Sequence, residues 1–388
     1  MSSRWPTPST DDRLPRVWVL TDDKAGHTTQ SFGLADALGW PCERKDLHFN
    51  AKAKRSGRRL GASIESVDLT LSSPLEPPWP DLVIATGKRA APVARWIGRQ
   101  SHGRTRLVQL GRKGGNVAEE FDLTVTCTHF RQPPHPSREE ILAPLTAVTP
   151  ARLAEARRRW AGLFGSRPRP WVALLVGGRS ASHDIDATTA RRMAREVAAA
   201  TTAAGGALHI VTSPRTGREA LAGLKDSLVG SASVYEWKRD DPENPYFGCL
   251  AVADVLVVTG DSESMIAEAV AAGKPTYIYD APVRRSHAFK PRNIIRSWVQ
   301  SHAAPGPAMQ RTPLERWCTR LIERGLVQPL RDLNAMHAGL YSAGLARPFA
   351  QPIETGWQRA WTEADRVAAR VAALVGVAPI PRAAGGDA

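Results

Sequence analysis

Residues 253–280 read ADVLVVTGDSESMIAEAVAAGKPTYIYD and predict a strand, a polar turn, a helix and a second strand. The apolar run 255–258 is mostly β-branched, as expected of a parallel strand that is buried on both faces. Asp261 or Ser262 can cap the helix that follows, and Gly273 can end it. A loop between the carboxyl end of a parallel strand and a helix amino terminus favours an anionic or polyhydroxylated ligand.

The same pattern occurs earlier in the chain. Residues 81–98, DLVIATGKRAAPVARWIG, resemble residues 254–273, and both place Thr-Gly directly after an apolar strand. Residues 17–27, VWVLTDDKAGH, resemble residues 171–183, WVALLVGGRSASH, in the same way. The repeat predicts two similar α/β halves, each with a parallel sheet, facing each other across a cleft.

The length of 388 residues agrees with two domains. Composition shifts and Pro-rich stretches give the boundaries. We predict a flexible tail at 1–15, an N-terminal Rossmann-like domain at 16–150, a linker at 151–169, a C-terminal Rossmann-like domain at 170–345, a C-terminal helical segment at 346–376 and a flexible tail at 377–388.

The net charge of +14 favours acidic partners, such as nucleotide-linked substrates or an anionic membrane surface, unless it only reflects an Arg-rich composition. The basic stretch 44–59, RKDLHFNAKAKRSGRR, is either an exposed loop or a face for an anionic acceptor or a membrane. No DNA-binding motif or aromatic-basic platform is present, so we expect no nucleic acid partner.

The four cysteines lack CxxC spacing, so they give no sign of a metal site or of a disulfide framework. Their arrangement agrees with a reduced compartment. The amino terminus has no apolar segment typical of a secretory signal, and no apolar run is long enough to span a membrane. We therefore expect a cytoplasmic protein, either free or peripheral on the inner face of the membrane.

Residues 260–264, GDSES, have three interpretations. In the first, Ser262 and Ser264 bind a donor phosphate at the helix amino terminus, and Glu268 faces ribose hydroxyls. In the second, Ser262 is the nucleophile of a serine hydrolase. Its acid would then be Asp280 and its base His287 or His302. In the third, the segment is a plain turn with a capping serine.

Two further loops of the second half carry polar side chains. Residues 212–217, TSPRTG, suit a pyrophosphate or form an ordinary polar turn. Residues 177–184, GGRSASHD, form a Gly-rich turn that lacks the pattern of a nicotinamide site. The candidate donor-binding residues in the second half are Arg179, Ser180, Ser213, Arg215, Thr216, Asp261, Ser262, Ser264 and Glu268.

In the first half, His27 is the candidate general base, because an unperturbed imidazole titrates near neutrality. Asp22 or Asp23 could orient it or replace it. Alternatively, His27 is only a helix-start residue that bonds the local backbone. The candidate residues for holding an anionic acceptor or the leaving diphosphate are Lys24, Gly26, Gly87, Lys88 and Arg89.

These motifs together resemble the mitochondrial fission ELM family, whose bacterial branch is described as a group of candidate GT-B glycosyltransferases. The segments that carry the resemblance are VWVLTDDKAGHTTQSFGLADALG, VALLVGGRSASH, TSPRTG and NPYFGCLAVADVLVVTGDSESMIAEAVAAGKPTYIY. The resemblance implies a GT-B-like fold of two Rossmann-like domains. The second would bind a nucleotide-sugar donor and the first an acceptor.

The helix after residue 262 also resembles the donor helix of the peptidoglycan N-acetylglucosaminyltransferase family, in which a Glu lies five residues before a Gly. Here Glu268 precedes Gly273 by that spacing. The Gly-rich first loop of that family is only partly matched, since the chain keeps Gly26 and His27 and lacks the other glycines.

The sequence thus predicts a metal-independent transfer of a sugar from a nucleotide-sugar to an envelope or lipid-linked acceptor. No other cofactor is expected, because a helix dipole and Arg or Lys can stabilise a leaving diphosphate. Two alternatives are a non-catalytic adaptor in membrane fission or envelope organisation and the serine hydrolase.

Overall fold

Two parallel sheets of six strands each organise the part of the chain that the computed structural model describes. That part consists of residues 13–55, 57–111, 120–180, 183–227, 232–283, 291–303, 312–349, 352–357 and 359–380. The predicted fold class, α/β and GT-B-like with two Rossmann-like domains, is confirmed.

The first sheet has the strand order β2-β1-β3-β4-β5-β6. Its strands are β1 Val17–Thr21, β2 Cys42–Asp46, β3 Leu82–Thr86, β4 Arg106–Leu110, β5 Leu123–Cys127 and β6 Arg138–Ile141. The helices that accompany it are α1 Ala25–Leu38, α2 Gly57–Leu60 and α3 Gly87–Gln100, with short 3-10 helices at Ala51–Lys54 and Thr128–Phe130. β1, β3 and β5 are buried along their whole length, which agrees with their apolar sequences.

The second sheet has the order β12-β11-β10-β7-β8-β9. Its strands are β7 Trp171–Leu175, β8 Ala207–Val211, β9 Ser233–Tyr235, β10 Val255–Thr259, β11 Thr276–Tyr279 and β12 Arg347–Pro348. The remaining helices are α4 Pro150–Arg159, α5 Ala187–Ala203, α6 Arg218–Lys225, α7 Tyr246–Val252, α8 Glu263–Ala271, α9 Pro291–Ser301, α10 Pro313–Glu323, α11 Leu333–Ser342 and α12 Glu363–Val375.

Each sheet has a point where the strand order reverses. In the first sheet it lies between β1 and β3, and in the second between β7 and β10. Loops that leave neighbouring strands at such a point diverge to opposite faces and open a crevice, where ligands of open α/β sheets bind. The stretch 253–280 forms β10, α8 and β11, so its turn borders the crevice of the second sheet.

The last helix returns to the first sheet. Val367 and Val371 of α12 pack in the same core as Leu34 and Leu38 of α1. Glu363, at the start of α12, accepts a hydrogen bond from the Leu142 backbone N–H at 2.8 Å. Burial raises the pKa of Glu363 to about 7, although this hydrogen bond opposes the shift.

Two expectations differ from the structure. The basic stretch 44–59 is not a loop throughout, because it begins inside β2. There Lys45 is buried and its Nζ lies 4.3 Å from the Trp18 ring centroid, so the ammonium makes a cation–π contact with that ring. The predicted C-terminal helical segment 346–376 contains, among its described residues, a helix only at Glu363–Val375. Of the predicted tails 1–15 and 377–388, residues 1–12 and 381–388 lie outside the described residues. No described helix is long and apolar enough to cross a membrane.

Gly33→Ala tests the packing of α1 against the loop before α4. A helix-interior Gly→Ala change normally stabilises by about 1 kcal/mol. Here the new Cβ would lie 2.2 Å from the Thr146 carbonyl oxygen, so we expect a loss of about 2 kcal/mol in the free energy of unfolding. Urea denaturation measures the change. Gly162→Ala, in the turn after α4, is the control for an uncrowded substitution, because nothing lies within 4 Å of an added Cβ there. Equal stabilities would contradict the packing.

Candidate functional site

The crevice of the first sheet contains a carboxylate–imidazole pair. Asp22 follows β1, and His27 lies in the first turn of α1. His27 Nδ1 is 3.1 and 3.0 Å from the two carboxylate oxygens of Asp22. Nδ1 therefore carries a proton that the carboxylate accepts, which leaves Nε2 as the basic nitrogen. Nε2 has no hydrogen-bond partner among the described residues. This is the geometry that a general base requires.

Asp22 is held as a carboxylate although its side chain is only 2% exposed. Burial by itself raises its pKa, but His27, Arg89 and the Lys24 backbone outweigh it and lower the pKa to about 2. Arg89 Nη2 donates to Asp22 at 2.7 Å and also contacts Asp23. Of the two predicted aspartates, Asp22 contacts the imidazole, whereas Asp23 contacts Arg89.

Gly87 gives the imidazole its space. It begins α3 with a φ of +78°, and a Cβ there would lie 2.6 Å from His27 Cε1. Positive φ and close approach both require glycine at this position. The Thr-Gly pair seen in the sequence therefore has a local reason in the first half: it lets His27 lie against the start of α3.

A cavity of about 750 Å³ opens beside this pair. Its volume is typical of ligand sites. Its charged lining residues are Asp22, Asp23, Asp46, Asp68, Arg44 and Arg89, with His48 and Phe49 beside them. Hydrogen bonds lower the pKa of Asp46, chiefly from Thr21, and of Asp68, chiefly from Thr70. Carboxylates thus outnumber arginines in the wall, although the whole chain is basic.

In the crevice of the second sheet, the buried carboxylate of Asp261 holds two loops together. It accepts hydrogen bonds from the Gly178 N–H at 3.1 Å and the Thr259 hydroxyl at 2.7 Å, and it pairs with Arg215 at 2.9 Å. Its side chain is 0% exposed. A Cβ on Gly177 would lie 2.3 Å from this carboxylate, so the Gly-Gly turn permits the approach. Asp261 therefore does not cap α8.

The hydroxyls of the 212–217 loop support the same turn. Ser213 Oγ donates to the Gly177 carbonyl at 2.8 Å, and Thr216 Oγ1 donates to it as well. Arg215 is engaged by Asp261. All three residues were predicted to bind a pyrophosphate, and the structure brings them together at the Gly-rich turn. Their side chains brace that turn, and contact with a phosphate stays a prediction.

Glu263, the first residue of α8, joins the two sheets. Its carboxylate lies 2.8 Å from His129 Nε2, and His129 follows β5 of the first sheet. Arg331 lies 3.4 Å from the same carboxylate, and Arg131 pairs with Asp332 beside it. These contacts connect the carboxyl ends of β5 and β10. The two sheets therefore face each other with these edges, as the cleft prediction requires.

Ser262 is at the N-cap position of α8, but its side chain makes no capping hydrogen bond. It is 5% exposed, and its φ of −114° is unstrained. A hydrolase nucleophile needs an exposed hydroxyl on a strained turn. Its predicted base His302 stacks near Trp298, and His287 lies outside the described residues. These observations oppose the hydrolase interpretation. Ser264 is half-buried in the first turn of α8.

Glu268 has a partner that the sequence did not suggest. The Tyr246 hydroxyl, from the first turn of α7, donates to its carboxylate. Burial raises the pKa of Glu268 to about 7, although the Tyr246 hydrogen bond opposes this shift. Ribose binding at Glu268 stays a prediction, and any ribose hydroxyl would share the carboxylate with Tyr246.

The remaining candidates lie on the surface near the two crevices. Lys24 and Lys88 are exposed at the starts of α1 and α3, and Gly26 has open space around its Cα. Arg179 is exposed after the Gly-Gly turn, and Ser180 accepts a hydrogen bond from the His183 N–H at 3.0 Å. Sequence reasoning missed the Tyr246–Glu268 and His129–Glu263 contacts, because each joins residues far apart in the chain. No described group of three or more His, Cys, Asp or Glu could hold a metal ion.

A family model described as mitochondrial fission ELM1 matches residues 25–315. The chain belongs to this family. A relative from Arabidopsis thaliana, the mitochondrial fission protein ELM1, is 25% identical over 268 residues, which cover 62% of each protein. The match thus spans less than two thirds of that protein. The uncharacterized protein RP120 of Rickettsia prowazekii (strain Madrid E) is 24% identical over 318 residues, 74% of this chain and 89% of the relative.

The solved structures that match the chain are far more distant in sequence. The UDP-GlcNAc 2-epimerase from Methanocaldococcus jannaschii has 11% identity and a TM-score of 0.46, covering 92% of this chain and 99% of its own. Arabidopsis thaliana UGT89C1 complexed with UDP has 12% identity and a TM-score of 0.39, covering 94% and 100%. At these values no substrate or activity is carried over to this chain.

Glu268→Gln tests the state of the buried carboxyl. Between the ordinary pKa of 4.5 and the folded value of about 7, the folded chain binds more protons than the unfolded chain. The contribution of Glu268 to stability is therefore lost as pH rises through this window. We expect the stability of the variant relative to the wild type to increase from about pH 5 to about pH 8 in urea denaturation. Glu363→Gln should show the same trend. A pH-independent difference would contradict the assignment.

Proposed function

We propose that this protein transfers a sugar from a nucleotide-sugar donor to a hydroxyl group of an acceptor. The observation that carries the proposal is the Asp22–His27 pair: Nε2 has no hydrogen-bond partner among the described residues, and Asp22 lines a cavity of about 750 Å³. An oriented imidazole of this kind takes a proton from a hydroxyl nucleophile. An envelope or lipid-linked acceptor, as predicted from the sequence, belongs to the same proposal.

The donor binds at the crevice of the second sheet. Its diphosphate meets the amino terminus of α8, beside the Gly177–Gly178 turn, because the first backbone N–H groups of a helix and the helix dipole favour negative charge. Arg179 is exposed beside that turn, and Arg215 reaches the diphosphate if its contact with Asp261 is exchanged for one with phosphate. Glu268 accepts hydrogen bonds from the ribose.

The acceptor binds in the cavity beside Asp22. The carboxylates that line this cavity accept hydrogen bonds from hydroxyl or amino groups and repel an anion. They therefore favour an acceptor with hydroxyl or amino groups over an anionic one. This differs from the expectation that Lys24, Lys88 and Arg89 hold an anionic acceptor, because Arg89 is already engaged by Asp22 and Asp23. Phe49 offers a ring face on which a sugar could pack.

In a single displacement, His27 Nε2 takes the proton of the acceptor hydroxyl as the acceptor oxygen bonds to the anomeric carbon. The bond between that carbon and the diphosphate oxygen breaks, and its electron pair leaves with the diphosphate. The charge on the imidazolium is stabilised by the Asp22 carboxylate, which stays ionised because its pKa is about 2. The leaving diphosphate is stabilised at the start of α8.

A non-catalytic adaptor is the second candidate, and the observation that favours it is membership of a family named for mitochondrial fission. An adaptor needs the fold and its surfaces but not His27. Purified protein that binds nucleotide-sugars and yet transfers no sugar would favour this candidate.

Donor binding predicts that at least one nucleoside diphosphate raises the melting temperature, because ligands that bind only the native state stabilise it. A thermal-shift screen of nucleoside diphosphates and their sugars identifies it. Glu268→Gln should then weaken binding about tenfold in calorimetry, since a charge-assisted hydrogen bond to ribose is lost. Glu363→Gln, a similarly buried glutamate on α12, should bind as the wild type does. No stabilising nucleotide would end the donor proposal.

Asp22→Asn tests the catalytic pair with the donor found in that screen. An amide no longer favours the Nδ1–H tautomer or stabilises the imidazolium, so we expect kcat to fall by about 10²- to 10⁴-fold, with donor affinity unchanged. His27→Ala should have a similar effect. Asp122→Asn is the control, because Asp122 lies at the opposite end of the first sheet and pairs with Arg106. Full activity of Asp22→Asn would contradict the role of the pair.

A further inference from the structure

A helical hairpin carries most of the exposed large apolar side chains of the described chain. It consists of α9 and α10 with the described residues that follow each helix, 302–303 and 324–326. Six of the eleven such side chains lie here, exposed between 43% and 60%: Ile294, Ile295, Trp298, Leu314, Trp317 and Leu326. The concentration of apolar surface in so short a segment is unusual for solvent-facing helices.

The two helices of the hairpin already pack against each other through a small buried core. Val299 of α9 packs with Cys318 and Ile322 of α10, and all three are buried. Ile294 and Trp298 are four residues apart on α9, so they share another face of that helix. The exposed side chains are therefore additional to those that hold the two helices together.

The hairpin is also basic. Its described residues contain five arginines and two glutamates, a net charge of +3. Arg316, Arg320 and Arg324 follow one another at four-residue spacing and form a row beside Trp317. None of these three, nor Arg292 on α9, has an ion-pair partner among the described residues. Tryptophan next to unpaired arginine is typical of surfaces that lie at the boundary between water and lipid.

The basic stretch 44–59 is less available for such a role. Arg44 pairs with Asp46, and Lys45 is buried and pairs with Glu43. Lys52 and Arg55 both lie 3.6 Å from Glu65. The charges of this stretch are largely compensated within the first domain, whereas those of the hairpin are not.

We propose that the helical hairpin docks this protein on an anionic lipid surface. Trp298, Trp317 and the isoleucines of α9 enter the headgroup boundary, and the arginine row lies against lipid phosphates. A second copy of the chain is a poorer occupant, because a symmetric contact would place the same uncompensated arginines opposite one another. The inference does not depend on sugar transfer.

Co-sedimentation of the full-length protein with vesicles tests the inference. Phosphatidylcholine vesicles that contain phosphatidylglycerol should bind the protein, and pure phosphatidylcholine vesicles should bind it at least tenfold less, because charge attraction adds to apolar burial. Arg316→Gln with Arg320→Gln should weaken binding about fivefold per arginine. Trp298→Ser with Trp317→Ser should also weaken binding, by about tenfold.

Matched controls use exposed residues of the same kind elsewhere. Leu14→Ser with Leu69→Ser, and Arg99→Gln with Arg158→Gln, should bind vesicles as the wild type does. Thermal melting checks that each variant folds. If the tryptophan double variant does not fold, the arginine double variant still tests the proposal. The proposal is overturned if wild type ignores anionic vesicles, if it binds neutral ones equally, or if Lys52→Gln with Lys54→Gln abolishes binding instead. A dimer in light scattering that the hairpin variants dissociate would also overturn it.

Discussion

Two buried carboxylates, Asp22 and Asp261, fix the loops where the strand order of each sheet reverses. An ionised group in such a place is costly unless it is paired and hydrogen-bonded, so each one draws a guanidinium and backbone N–H groups toward it. Asp22 takes Arg89 from the start of α3 and the Lys24 N–H. Asp261 takes Arg215 and the Gly178 N–H. In both cases loops that leave different strands are tied together, which is why the crevices have a defined shape.

The two carboxylates serve different chemistry. Asp261 is closed off by Thr259, Arg215 and the Gly-Gly turn, so it shapes a loop and has no side left for a ligand. The Asp22 carboxylate instead accepts a hydrogen bond from His27 Nδ1, and Nε2 lies on the far side of the imidazole ring. The first domain therefore offers a proton acceptor, and the second offers the amino terminus of α8 and the exposed Arg179. This division agrees with an acceptor on one side of the cleft and a charged donor on the other.

A chain with a net charge of +14 nevertheless places an acid-lined cavity beside its best candidate base. The arginines near that cavity are engaged by aspartates, whereas four of the five hairpin arginines have no ion-pair partner among the described residues, and the fifth, Arg296, donates to backbone carbonyls. The net charge of the chain is therefore a poor guide to the electrostatic potential at a given site, because a charge is neutralised only where an opposite charge lies beside it in the folded protein. The basic stretch 44–59 attracted attention in the sequence for its composition. In the structure the hairpin carries the uncompensated charge, next to exposed tryptophan.

The sequence by itself determined the α/β class, the two halves and most strands and helices, because buried parallel strands give apolar runs and their turns give Gly, Ser and Asp. It also selected Asp22, His27, Asp261 and Glu268 from local motifs. Only the tertiary structure decided that Asp22 rather than Asp23 bonds His27, that Asp261 holds a loop, and that Tyr246 and His129 meet Glu268 and Glu263. These contacts join residues up to 134 positions apart, and their geometry follows from how the strands pair and how the two sheets face each other. Local pattern carries no information about such distances.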